Sequence, residues 1–284
     1  MTSIYDCYEL NNGVRVPCLG FGTYKAAEDG GGQVLRMALD AGYRYFDTAS
    51  FYQNEEVMGK VFGEAEIKRE ELFLASKAWK TQMGYREVKK AFEESLEKLK
   101  TDYLDLYLIH WPLPNPDYED WKALDLDTWK AMEELYQDGR VRAIGVSNFL
   151  PHHLENLLEH AKVSPAVDQI EFHPGYTQEM TVEYCQKRGI LVQAWSPLGR
   201  RKALENPLLR RMAQKYQVST AQICLRYALQ RGVVPLPKAS SLERMKENQE
   251  IFDFALTKED MYRIGSMAPD GWSGEHPDSE RVRE

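Results

Sequence analysis

Short apolar runs alternate with longer amphipathic stretches along nearly the whole chain, and this rhythm sharply limits the folds open to it. The runs fall near 19–22, 45–47, 73–76, 104–109, 143–146, 166–171, 191–195 and 233–236. Helical spacing of apolar residues follows near 34–41, 55–62, 85–99, 128–137, 150–160, 178–187, 221–229 and 242–249. Strand-then-helix units demand a mainly parallel sheet, because each helix carries the chain back to the end where the next strand starts. Leu106-Tyr107-Leu108-Ile109 is apolar on both parities, as a strand covered on both faces must be. An unbroken series of eight units predicts one domain over residues 1–284: a closed α/β (β/α)8 TIM barrel with extra C-terminal helices. An open doubly wound sheet is the alternative. Gly20-Phe21-Gly22 lacks the third glycine of the dinucleotide fingerprint, so that alternative loses its main support. Upstream, Asn11-Asn12-Gly13 between two apolar stretches predicts an N-terminal β-hairpin.

Bulk properties exclude several classes. Hydrophobic content of 43% supports a sizeable core, and a net charge of -8 argues against nucleic-acid binding, which needs a basic face. Cys7, Cys18, Cys185 and Cys224 are scattered with no CxxC pair, which favours a reducing compartment over a disulfide framework. The first residues lack the basic start and apolar stretch of a signal peptide, and no apolar run is long enough to cross a bilayer. The expectation is a cytoplasmic protein without a membrane partner.

Four polar residues sit at or just past predicted strand ends: Asp47, Tyr52, Lys77 and His110. In a barrel of parallel strands these ends open on one face, where catalytic groups collect. Singly, each is ordinary: a surface Tyr or Lys, a capping Asp, a satisfied core His. Together, an acid, a phenol, an amine and an imidazole make a set able to move protons.

The chain resembles the aldo-keto reductase family along nearly its whole length. The likeness rests on Gly20-Phe21-Gly22-Thr23, Phe46-Asp47-Thr48-Ala49, Tyr52-Gln53-Asn54-Glu55, Leu108-Ile109-His110-Trp111-Pro112, Ile144-Gly145-Val146-Ser147-Asn148, Gln169-Ile170-Glu171-Phe172-His173-Pro174, Ser196-Pro197-Leu198-Gly199 and Pro235-Leu236-Pro237-Lys238. It implies an oxidoreductase in which Tyr52 protonates a carbonyl oxygen as a nicotinamide delivers hydride to the carbon. A free phenol has a pKa of about 10, high for an acid at neutral pH. The Lys77 ammonium is expected to favour the phenolate. At about 4 Å and an effective dielectric of about 20 the attraction is roughly 4 kcal/mol. Asp47 would hold Lys77 charged and oriented, and His110 would donate a hydrogen bond to the substrate oxygen.

The same resemblance implies a cofactor, NADPH. Gly22, Thr23, Tyr24 and Asp47 fall in its site. Ser147, Asn148 and Gln169 are placed on the nicotinamide carboxamide, and Trp195 against its ring. Ser196, Leu198 and Gly199 are placed along the pyrophosphate. Lys238, Ser240, Ser241, Arg244, Glu247 and Asn248 match the adenosine-phosphate pocket, with Lys238 and Arg244 flanking a 2′-phosphate. Ala239 stands where the family usually has Ser, which weakens the preference for NADPH without reversing it. Gly30-Gly31-Gly32 reads as a flexible helix entry rather than a phosphate loop, since no Lys-Ser/Thr follows.

Tyr24, Phe51, Trp79, His110 and Trp111 are expected to line an aromatic mouth for a small carbonyl compound. Trp195 and the short ending with His276-Pro277-Asp278 resemble bacterial 2,5-diketo-D-gluconate reductases, so keto-sugar acids and small dicarbonyls head the substrate classes. Trp272 is either a cap on that mouth or an exposed tail residue. A non-catalytic barrel in a regulatory or structural role is the competing reading. No metal is expected: His152, His153 and His160 read as a solvated helix face. The chain is expected to act as a monomer.

Overall fold

The strands β1 (Cys7–Glu9) and β2 (Arg15–Pro17) pair antiparallel, with Tyr8 opposite Val16, and form the expected hairpin. Gly13 takes φ +83° in its turn, a left-handed backbone that glycine adopts without penalty. The computed structural model describes residues 1–27, 32–115 and 117–279.

Eight further strands follow: β3 (Phe21–Gly22), β4 (Tyr45–Asp47), β5 (Phe73–Ala78), β6 (Leu106–Ile109), β7 (Ile144–Ser147), β8 (Val167–Glu171), β9 (Leu191–Trp195) and β10 (Val233–Pro235). Each pairs in parallel with its sequence neighbour, in one sheet running in order from β3 to β10. The outer edges also meet. Gly20 N donates to Pro235 O at 3.2 Å, and Gly22 N donates to Pro237 O at 3.1 Å, which closes the barrel.

The two glycines make this seam possible. A Cβ at Gly20 would lie 2.5 Å from Leu236 Cδ2, and one at Gly22 would lie 2.8 Å from the Leu236 carbonyl oxygen. Only bare backbone permits so close an approach. Gly20-Phe21-Gly22 is therefore a closure device.

Around the sheet lie α1 (Gln33–Asp40), α2 (Glu55–Glu64), α3 (Tyr85–Leu99), α4 (Trp121–Gln137), α5 (Pro151–Leu158), α6 (Glu179–Gln186), α7 (Pro207–Tyr216), α8 (Thr220–Gln230), α9 (Leu242–Glu247) and α10 (Lys258–Gly265). Their apolar faces pack on the outside of the strands. A second core fills the barrel, where Tyr45, Phe73, Leu106, Leu108, Val167 and Val234 meet Leu10 and Val16 of the hairpin. Asn11 Nδ2 donates to Pro165 O and Asn12 Nδ2 to Arg142 O, both at 2.9 Å, just upstream of β8 and β7. The hairpin thus lies across the N-terminal end of the barrel and plugs it. Burying Leu10 and Val16 there contributes about 1.5–3 kcal/mol each. Among the described residues no helix is long and apolar enough to cross a membrane.

Candidate active site

At the opposite end, the strand termini bring the four singled-out residues together. Asp47 ends β4, Lys77 lies next to last in β5, and His110 directly follows β6. Tyr52 closes a one-turn 3-10 segment, Ser50–Tyr52. Short hydrogen bonds brace that turn. Thr48 Oγ1 donates to Asn54 Oδ1 at 2.6 Å, Asn54 Nδ2 to Thr23 O at 2.8 Å, and Thr23 Oγ1 to Asp47 O at 2.8 Å. Ser50 Oγ lies 3.0 Å from Lys77 O and 2.6 Å from Gln82 Oε1.

Beneath Tyr52 lies a fully buried ion pair. Lys77 Nζ donates to both oxygens of Asp47, at 2.8 and 2.7 Å, and to Thr48 O at 2.9 Å. Burial pulls the pKa of this lysine down, and the Asp47 charge opposes that pull. The ammonium lies 5.1 Å from the centre of the Tyr52 ring. This arrangement corrects one expectation: the ammonium does not acidify the phenol. All three Nζ hydrogens are committed to Asp47 and Thr48, and burial, then the Asp47 charge, then Tyr24 push the Tyr52 pKa up. By accessible surface Tyr52 is half-buried, whereas Tyr45 and Tyr107 are fully buried. The hydroxyl stays protonated at neutral pH, which is the state an acid needs.

His110 is buried, and burial together with the Lys77 and Lys80 charges pushes its pKa well below the ordinary histidine value. It is neutral at physiological pH. Its ring meets Trp79 edge-on at 5.0 Å, Tyr52 at 5.7 Å and Phe51 at 6.5 Å, and Phe51 stacks on Trp79 at 3.9 Å. Tyr24, half exposed, sits 5.0 Å from Tyr52. The expected aromatic mouth is present, with Trp111 buried behind it.

The polar residues expected around a nicotinamide are already bonded to one another. Asn148 adopts a left-handed backbone, φ +62°, rare outside glycine and best tolerated by Asn and Asp. Its Nδ2 donates to His110 O at 2.9 Å, and its Oδ1 accepts from Trp195 Nε1 at 2.8 Å. Ser147 Oγ donates to Gln169 O at 2.7 Å, and Gln169 Nε2 donates to Asp47 Oδ1 at 2.8 Å and to Gln193 Oε1 at 3.2 Å. Tyr45 OH donates to Gln193 Oε1 at 2.8 Å. Gln193 and Tyr45 were not foreseen. Their signal was a polar group in the middle of an apolar strand.

Ser196 and Gly199 take left-handed backbone just past β9, with Leu198 between them half-buried. Lys238, Ser240, Ser241, Arg244, Glu247 and Asn248 follow β10 into α9. Lys238 Nζ donates to Ser240 Oγ at 2.7 Å, Ser241 caps Arg244 N at 3.4 Å, Arg244 is exposed, and Ala239 is buried.

A profile of the Aldo/keto reductase family matches residues 19–268. The glyoxal reductase of Bacillus subtilis (strain 168) is 47% identical over 279 residues, 98% of each chain. This chain belongs to the aldo/keto reductase family. Solved structures agree. An aldo-keto reductase from a Medee basin deep-sea metagenome library superimposes with a TM-score of 0.90 at 37% identity, over 97% of this chain and 100% of the other. A Bombyx mori aldo-keto reductase in complex with NADP does so at 0.87 and 35% identity, over 97% and 98%.

One other reading changes in this aldo/keto reductase. The helix histidines are not a uniformly solvated face: His152 and His160 are exposed, but His153 is completely buried. His153 Nδ1 accepts from Leu150 N at 3.0 Å, which leaves the ring proton on Nε2, 2.9 Å from Asp278 Oδ1. His152 Nε2 lies 3.0 Å from the same oxygen. The ligand atoms of His152, His153 and Asp278 thus lie within 4.8 Å of one another. Trp272 is 44% exposed and stacks on Tyr176 at 6.1 Å, while Ser273 N and Oγ donate to the buried Glu171 at 3.0 and 2.7 Å. Glu171 thus anchors the tail, a role that sequence reading missed. Gly30 and Gly31 lie outside the described residues; Gly32 caps α1 at φ +68°.

Proposed function

We propose that this aldo/keto reductase uses NADPH to reduce small aldehydes and ketones, with short dicarbonyls of the glyoxal kind foremost and keto-sugar acids such as 2,5-diketo-D-gluconate in the same class. The likeness to glyoxal reductase and to an NADP-bound relative supports the class. The observation that carries the mechanism is the buried Asp47–Lys77 pair under a protonated Tyr52, with neutral His110 alongside.

The residues present fit the cofactor. Ser147, Asn148 and Gln169 offer amide and hydroxyl groups that can exchange their mutual bonds for a carboxamide. Trp195 is half exposed beside them, and Lys238 and Arg244 supply cations for a phosphate. Bound NADPH supplies hydride to the carbonyl carbon. Tyr52 gives its proton to the carbonyl oxygen, which becomes the alcohol hydroxyl. Lys77 then stabilises the phenolate left behind, with Asp47 fixing the ammonium in place. His110, neutral, directs a ring N–H at the same oxygen and needs no change of charge. All of these groups come from one chain, as a monomeric enzyme requires.

The test is loss of NADPH absorbance with glyoxal, methylglyoxal and 2,5-diketo-D-gluconate, run for the native enzyme and Tyr52→Phe. The variant should keep its melting temperature and NADPH affinity and lose about 10²–10⁴ in kcat, the range for general acid catalysis. Absence of turnover across a broad carbonyl panel with NADPH and NADH would overturn the assignment.

A further inference from the structure

Two segments remote in sequence bring together three side chains that have no part in the chemistry above. His152 and His153 open α5, and Asp278 comes from the C-terminal tail. One oxygen, Asp278 Oδ1, lies 3.0 Å from His152 Nε2 and 2.9 Å from His153 Nε2. The two imidazole rings stand only 3.9 Å apart. Trp121 meets the His153 ring edge-on at 4.9 Å and Phe149 does so at 5.7 Å, so the buried imidazole is fixed in place by its neighbours.

The contact at His153 is close without being a hydrogen bond. Its ring is completely buried, and Nε2 has no hydrogen-bond partner although Oδ1 is 2.9 Å away, so the oxygen lies off the ring N–H direction. A hydrogen bond prefers an angle above about 150°. Ligands of one ion behave differently, since each points at the ion and therefore past its neighbours. Atoms about 2.1 Å from a common ion, at angles between a right angle and the tetrahedral one, lie about 3.0–3.4 Å apart. The nitrogen–oxygen separations of 2.9 and 3.0 Å have that spacing. A buried nitrogen without a partner is costly, and an ion supplies the partner. The side chains of His152 and Asp278 are 50% and 42% exposed, which gives an ion a way in from solvent.

From this we infer that His152, His153 and Asp278 bind one divalent transition metal of the zinc class, with water completing its coordination. Two imidazoles and one carboxylate are a donor set that suits such an ion. The ion ties the tail to the start of α5 and takes no part in hydride or proton transfer. His153 is neutral at physiological pH, because burial and then His152 push its pKa down to about 3, so the ring has a lone pair to give. Coordination through Nε2 shifts the ring proton to Nδ1, and the bond accepted from Leu150 N is exchanged for the bond to the metal. The proton moves within the ring, so none is released from His153.

The experiment titrates Zn²⁺ by calorimetry into the untagged, EDTA-treated full chain, for the native enzyme, His152→Gln and Asp278→Asn. Both variants change exposed side chains, so folding is kept apart from binding. The native enzyme should take up one equivalent. Losing even an outer partner of a metal site costs about 10–100-fold in affinity, so each variant should bind at least that much more weakly. Co²⁺ in place of Zn²⁺ should give a visible spectrum without the thiolate charge-transfer band of a cysteine site. A second measurement reads His153 directly: ¹⁵N NMR of the native enzyme should show its ring proton on Nε2 without metal and on Nδ1 with Zn²⁺. No uptake by the native enzyme, or equal uptake by all three proteins, would overturn the site, the latter marking adventitious binding elsewhere. Zn²⁺ uptake that leaves the His153 proton on Nε2 would overturn it as well. None of these results bears on the reductase reading, because the site is separate from Tyr52 and His110.

Discussion

Replacing Lys77 by Met tests how much of the catalysis is electrostatic. The ammonium sits 5.1 Å from the Tyr52 ring centre. At that separation and an effective dielectric of about 20, a unit charge and a phenolate attract by about 3 kcal/mol. If this attraction is realised only as the proton leaves, its loss slows kcat by about two decades. The same change strands Asp47 in the barrel, since of its strong donors only Gln169 Nε2 remains. Removing one partner of a buried pair costs about 3–5 kcal/mol of stability. The double variant Asp47→Asn with Lys77→Met removes both charges and should recover most of that stability. It should also recover part of the rate, because the Asp47 charge, which disfavours the phenolate, goes as well. The assay is kcat for glyoxal reduction at saturating NADPH, with urea melts of each variant to separate folding from chemistry. A folded Lys77→Met enzyme within threefold of the native kcat would refute the electrostatic account of Tyr52.

Two further outcomes follow from other parts of the molecule. Arg244→Ala should raise KM for NADPH at least tenfold while barely changing KM for NADH, if its exposed guanidinium has the proposed role at the 2′-phosphate; equal changes for both cofactors would remove Arg244 from the site. Below about pH 6.5 the pH dependence of stability carries opposing contributions from buried histidines and buried aspartates. In that window buried His110 and His153 refuse protons that the unfolded chain accepts, which lowers stability toward acid. Buried Asp125 and Asp168 keep protons that the unfolded chain releases, which raises stability toward acid. Asp125→Asn removes one of the latter, so urea midpoints of that variant should decline toward acid by about 1.4 kcal/mol per pH unit; an unchanged slope would show that Asp125 ionises normally.

The barrel was legible because its signal repeats. Every predicted strand is present within two residues at either end, and α3 matches at both ends. Two helices, α7 and α10, have no counterpart among the predicted spans, and α4 starts early. α7 follows a turn with left-handed residues at Arg200 and Arg201, and its cap, Asn206 with Pro207 at the first helical position, was the cue available. α4 begins seven residues before the predicted 128, because Asp125 breaks the apolar pattern by turning a carboxyl inward. Asp47, Tyr52, Lys77 and His110 were picked out as a set through family resemblance; strand-end position alone left each of them ordinary. Polar partners inside the barrel were less visible. Gln193 and Glu171 act through residues far away in sequence, Tyr45 and Ser273, so a polar residue within an apolar strand hints at them but not at their partners. The direction of the Tyr52 shift was hidden for a related reason: proximity of Lys77 follows from strand order, but where its three hydrogens point does not.

The hairpin stopper across the barrel base turns the molecule into a blind well. Among the described residues, the way to Tyr52 lies at the opposite end, past Tyr24, Phe51 and Trp79. In the proposed arrangement traffic would be last in, first out: a dinucleotide seated against Asn148 and Gln169 leaves only after the carbonyl compound above it.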